Sequence, residues 1–209
     1  MALVKYNNNS ISAVTSAASI PSGALTHIKT LTASSSATLS FVDGSDGVVL
    51  DSTYPIYVFE FINIHPSQQG GDGDEFQVNF RDGSTAYDAT KTSTFFSAVH
   101  GEDGSGGAVA YRTSHDLAQS TGFQTLAVDM DADNDTQVSG TLHLFNPSST
   151  TFVKHFIYKG NHVHSSASMQ NTFVAGYCNT TTAIDGVQFK MSAGNMDSGK
   201  IKLYGIKDS

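Results

Sequence analysis

Tryptophan is missing from the 209 residues, and cysteine, proline and glutamate are scarce, with one Cys, four Pro and only Glu60, Glu75 and Glu102. The lone Cys178 excludes a disulfide within the chain, and its expected role is that of a small buried apolar residue. The lack of Trp removes the strongest stacking surface for a sugar ring. Most telling is the glutamate deficit: of 19 acidic residues, all but three are Asp. Asp bonds to its own backbone in turns, whereas Glu is a helix former. No long Ala/Glu/Lys/Leu stretch occurs either, so no extended helix is expected. Basic residues number only 11 and the net charge is -8, which argues against the basic patch that phosphate contacts need. Lys190, Lys200, Lys202 and Lys207 come nearest to a cluster and read as solvent-facing positions of a hairpin. No run approaches the ~20 apolar residues of a membrane span. Met1 to Ile20 lacks the basic start and continuous apolar run of a secretory signal. The expectation is a chain made in the cytoplasm, with neither nucleic acid nor membrane as a partner.

What is present is enough for a core: 39% hydrophobic residues, 10% aromatics and 19 Gly. The first residues are polar and weakly patterned, with Leu3, Val4, Tyr6, Ile11, Val14 and Ile20 set among Asn, Ser and Ala. Residues 1–35 therefore read as an N-terminal arm for assembly, lying on its own domain or reaching a neighbour. Residues 36–209 read as one domain. Ile56 to Ile64 has the β-branched and aromatic content of a central strand. Phe76, Val78 and Phe80 alternate with polar residues, as a half-buried strand requires. Gly140 to Phe145 and Phe152 to Tyr158 form a hairpin about Asn146-Pro147-Ser148-Ser149, and Val187 to Met191 with Ile201 to Leu203 forms another. Weaker candidates are Leu25 to Leu31, Thr38 to Val42, Val48 to Leu50, Thr92 to Val99, Ala108 to Thr113 and Thr172 to Tyr177. Around ten short strands without helical interludes predict an all-β fold, an antiparallel jelly-roll-type β-sandwich.

Few residues suggest chemistry. Asp129, Asp131, Asp133 and Asp135 present hard oxygens at alternating positions, as calcium loops do, but the sharp-turn Gly and the closing bidentate Glu of an EF-hand are missing. Asp72 to Glu75 could add ligands only if the fold brings that loop close. His162 and His164, two apart, would share one face of a strand, a spacing compatible with metal ligation, yet no third or fourth ligand stands at a readable spacing. His143 and His155 fall on the two arms of one hairpin. Ser114-His115-Asp116 holds the residue types of a triad, but consecutive residues cannot converge as a triad must. No catalytic residue, metal or cofactor is therefore expected. Tyr54, Tyr57, Tyr87, Tyr111 and Tyr158 are the aromatic residues that could contribute to glycan recognition.

Several segments carry a resemblance. They are Ser40 to Asp51 (SFVDGSDGVVLD), Phe59 to Pro66 (FEFINIHP), Leu142 to Phe156 (LHLFNPSSTTFVKHF), Phe173 to Tyr177 (FVAGY) and the ending Phe189 to Ile206 (FKMSAGNMDSGKIKLYGI). Together they resemble a family of marine tailed-phage virion proteins of the cyanophage type, over roughly residues 38 to 206. The resemblance implies a jelly-roll module located in the virion, on a tail appendage or as a capsid decoration. Its implied partners are other virion proteins and further copies of itself, trimers being common for such modules. Host surface glycan is the alternative partner. The resemblance carries no catalytic residues to transfer.

Overall fold

The computed structural model of the chain describes residues 24–68 and 74–208. Among these residues there are twelve strands, one 3₁₀ turn (Thr113–His115) and no α-helix. In chain order the strands are β1 (Leu25–Thr32), β2 (Leu39–Val42), β3 (Ile56–Pro66), β4 (Asp74–Arg81), β5 (Lys91–Gly101) and β6 (Ala108–Tyr111), followed by β7 (Gln124–Met130), β8 (Val138–Phe145), β9 (Lys154–His164), β10 (Ser168–Cys178), β11 (Gly186–Met191) and β12 (Met196–Ile206). They build two antiparallel sheets: an eight-stranded one in the order β1-β12-β3-β8-β9-β10-β5-β6, and a four-stranded one in the order β2-β11-β4-β7. The protein is an all-β, two-sheet sandwich, as its composition and alternation predict.

Side chains of period two sort themselves between the faces. β9 shows this most regularly: its even-numbered residues from Lys154 to His162 point inward and are buried, and its odd-numbered residues from His155 to Asn161 are exposed. Where β3, β8 and β12 face the small sheet, the core is a cluster of rings. Phe61 lies 5.1 Å from Phe189 and 5.2 Å from Phe76, and Phe59 lies 5.3 Å from Phe41, mostly edge to face. That geometry suits the ring quadrupoles and adds to what area burial alone provides. A bulge interrupts β3 between Phe61 and Ile64, with Asn63 at φ 50°. Gly199 of β12 passes it at φ +114°, and a Cβ there would stand 2.5 Å from the Asn63 carbonyl oxygen. Only glycine accommodates both the backbone angle and the approach.

The structure departs from the sequence reading in four places. Leu25–Thr32 falls within the expected 1–35 arm but forms β1 and pairs along its length with β12, so these residues belong to the sandwich, which does not start at residue 36. A long partner strand outweighs weak local patterning here. Leu3, Val4, Tyr6, Ile11, Val14 and Ile20 lie outside the described residues. Val48 to Leu50 is loop instead of strand, with Val48 and Leu50 buried and the Leu50 N–H donating to the Asp43 carboxylate. Gln124–Met130, which shows no alternation because almost every residue in it is buried, is strand β7. Val187 to Met191 and Ile201 to Leu203 form no hairpin: β11 pairs in the small sheet and β12 in the large one, so residues 192–195 cross between the sheets and Phe189 packs against the large sheet through the core.

Candidate functional site

The inner face of the large sheet is closed by the small sheet and by loops, yet its outer face carries an apolar patch over β9, β10, β5 and β6. Pairing registers place side chains in rows across the strands. One row runs Thr30, Lys202, Glu60, Thr141, Lys159, Phe173, Phe96, Tyr111 from β1 to β6. A neighbouring row runs His27, Tyr204, Val58, His143, Ile157, Ala175, Thr94. Leu25, Ile206, Ile56 and Phe145 begin the next. Phe96 and Phe173 stack in parallel at 4.9 Å, and Lys159 sits 5.6 Å from the Phe173 ring centre. Phe96, Ile157, Met169, Tyr111 and Val109 are exposed, Val109 at 76%. Single exposed apolar residues are ordinary on a protein surface; a cluster of them on neighbouring strands marks an interaction face. The first two rows hold Lys202 and Lys159 against a single carboxylate, Glu60, in a chain of net charge -8.

A groove of about 430 Å³ crosses this face where the short Ala175 leaves room between Tyr177, His155, Ile157, Thr92 and Thr94. At its rim the Gln119 amide donates to Thr92 Oγ1 (2.7 Å), and the Asn179 amide donates to Gln119 Oε1 (2.6 Å). The groove can take a flat or apolar group, with this bonded amide pair at one end.

The residues singled out for metal are partly brought together. β7 crosses β9, so His164 Nε2 meets Asp129 Oδ2 at 2.8 Å and His162 Nε2–H donates to the Val128 carbonyl at 2.8 Å. Asp131 is buried and accepts the Asp133 N–H, while Asp133 and Asp135 stay exposed. Asp74 pairs with Met130, next to Asp131, and Asp72 and Gly73 lie outside the described residues. No group of three His, Cys, Asp or Glu side chains among the described residues is placed to hold a metal ion. His143 is pushed down in pKa by burial, and it stacks on Phe145 while His155 pairs with Tyr177.

The Ser114-His115-Asp116 run is dispersed in the same way. Asp116 accepts the Phe95 N–H (2.7 Å) and the Tyr111 hydroxyl (2.6 Å), while His115 Nδ1 lies 3.3 Å from Glu75 Oε1. Burial acts to raise the Glu75 carboxyl, but hydrogen bonds from His115, Thr125 and Gln77 outweigh it and hold the carboxyl below its ordinary value. Tyr54, Tyr57 and Tyr158 are buried in the core and offer no sugar platform; Tyr111 is exposed and Tyr87 half-buried.

Sequence reasoning missed a second group altogether. Cys178 of β10 pairs with Lys91 of β5 on one side and Lys154 of β9 on the other, and all three side chains are fully buried. Lys154 Nζ donates to the carbonyls of Thr180 (3.1 Å) and Thr182 (2.6 Å). Lys91 Nζ donates to Ala89 O (2.6 Å) and to Asn79 Oδ1 (2.5 Å). Burial pushes the Cys178 thiol up to about 12 and Lys91 down to about 8. Lysine at the first position of each strand gave no signal, because only the register shows which way it points.

Comparison of the chain with protein-family models, with curated proteins and with solved structures finds no match in any of the three.

Proposed function

We propose that this chain is a structural subunit of a bacteriophage particle. It would be an accessory surface component of a tail appendage or fibre, or a capsid decoration, acting in assembly and stability as a homo-oligomer. The observation that carries the reading is the apolar patch on the outer face of a sheet whose inner face is already filled. An isolated sandwich gains nothing from such a face; a subunit that packs against its own copies does. With Lys202 paired to Glu60, Lys159 is the cation this patch has to offer the acidic remainder of the chain, which favours a second copy as its occupant. The strand orders support the jelly-roll reading. The sheets run β2-β11-β4-β7 and β3-…-β5-β6, with β5 and β6 paired in the large sheet, the β8-β9-β10 meander standing where one strand would, and β12 and β1 added outside. The segments that resemble tailed-phage virion proteins agree with this assignment, and no catalytic step is part of the proposal. Light scattering on the purified chain tests it: the expected mass is that of a trimer, reduced to a monomer by Ile157→Lys at unchanged circular dichroism. A wild-type monomer at high concentration overturns the oligomeric reading.

A second reading rests on the groove at Tyr177. Its apolar floor and amide rim suit a pyranose ring, which makes the subunit a receptor-binding module for host surface glycan. Glycan-array binding lost on Tyr177→Ala supports this reading, and a blank array with the intact oligomer removes it.

A further inference from the structure

Lys91 opens β5 in the large sheet, and Asn79 lies near the end of β4 in the small one. Their side chains meet across the interior, Lys91 fully buried and Asn79 1% exposed. The 2.5 Å between Lys91 Nζ and Asn79 Oδ1 puts the amide carbon no more than about 3.7 Å from the amine, given the length of a C=O bond. Near-attack geometry is about 3–3.5 Å, so a small adjustment completes it. The surroundings hold both partners still. Ala89 O accepts from Nζ at 2.6 Å, and the Lys91 backbone is tied to Ser120 by hydrogen bonds in both directions. Asn79 Nδ2 donates to the Thr121 carbonyl at 3.0 Å. The Phe80 N–H donates to Asn79 Oδ1 at 2.9 Å, so a donor already stands where negative charge would develop on that oxygen.

We propose that Lys91 and Asn79 become joined by an intramolecular isopeptide bond that staples the two sheets together. In its neutral form Nζ attacks the Asn79 side-chain carbonyl carbon, and the C–Nζ bond forms as the oxygen takes up charge facing the Phe80 N–H. A proton passes from Nζ to Nδ2, the C–Nδ2 bond breaks, and ammonia leaves. The products are one secondary amide and one ammonia, with no oxidant or cofactor needed. Burial favours the neutral amine by lowering the Lys91 pKa to about 8. The inference is independent of the virion reading, because it concerns only how the sandwich is held together.

The test is the intact mass of the full chain followed by a tryptic map. The expected mass is below that of the sequence by one ammonia. Trypsin should then fail to cut after Lys91, leaving a branched peptide of Thr30 to Arg81 joined to Asp82 to Arg112. Asn79→Asp should form the same link with loss of one water, and Lys91→Arg should restore the full sequence mass. A wild-type mass equal to that of the sequence, with cleavage after Lys91, overturns the proposal. So does an ammonia loss confined to Asn79 with Lys91 still cut, which would be a succinimide.

Discussion

Under β3, β8 and β12 the two sheets meet through rings: Phe41, Phe59, Phe61, Phe76 and Phe189, none more than 1% exposed. Under β5, β9 and β10 the inward positions mix Phe95, Phe156, Tyr158 and Val174 with Lys91, Lys154, Ser97, His162, Gln170 and Thr172, none more than 2% exposed. The first region is held by dispersion and area burial, which need no particular partner. The second depends on hydrogen bonds being found, and not all are: both amide atoms of Gln170, the Thr172 and Tyr158 hydroxyls and His162 Nδ1 make none. The Tyr158 hydroxyl occupies the space that a side chain at Gly160 would need. Unpaired polar atoms cost free energy wherever they are buried. The comparison assigns the bulk of the stability to the ring cluster and the pH sensitivity to the polar half.

The largest effect that would break this contrast is Phe61→Ala. It removes a ring touching Phe76, Phe189 and Tyr158 and should cost about 3–5 kcal/mol in urea unfolding. A loss below about 1 kcal/mol would show that the rings do not dominate.

Acid probes the other half. His162 is held neutral, its pKa lowered to about 4 by burial against an ordinary 6.5. Between those values the unfolded chain binds a proton that the folded chain refuses. Stability should therefore fall as pH drops from 6.5 towards 4, by roughly 3 kcal/mol from this residue, and level off below. Burial lowers His143 too, which acts in the same direction. Urea midpoints measured across this range for the wild type and for His162→Gln isolate the share of His162; equal slopes would contradict the assignment.

Lys154→Met sharpens the contrast at smaller scale. It removes a buried amine but strands the Thr180 and Thr182 carbonyls, an expected loss of about 1–3 kcal/mol in the same denaturation assay. A gain in stability would mean that those carbonyls find other donors. Smallest of all is Phe96→Ser on the outer face, which loses the stack on Phe173 and should cost the subunit about 0.5–1.5 kcal/mol while weakening self-association in sedimentation. A large drop in the monomer's own stability would assign Phe96 to the fold rather than to assembly.

Much of the fold was legible because alternation is a local signal. β3, β4, the β8–β9 hairpin and the separate strands β11 and β12 follow from residues such as Phe76, Val78 and Phe80, whose neighbours are polar; that β11 and β12 join different sheets instead of pairing does not. β7 escaped because Gln124 to Val128 are all buried, which erases the period. Val48 to Leu50 misled for the opposite reason: a loop can bury Val and Leu side chains without pairing its backbone. The outer face was not legible, since alternation separates two faces without telling which of them meets solvent. Phe95 and Phe96 are adjacent and alike in sequence, yet one is buried in the core and the other lies on the surface. The Asp129–His164 contact and the Lys91–Asn79 contact both arise from packing between sheets, which no local pattern encodes.

The central claim is a subunit of a phage particle that assembles through the outer face of its large sheet. Electron cryo-microscopy of purified particles tests it most directly. The account predicts density for the sandwich on the particle, with the Phe96–Phe173 face buried against another copy. Particles that lack the protein, or that carry it with this face open to solvent, would contradict it.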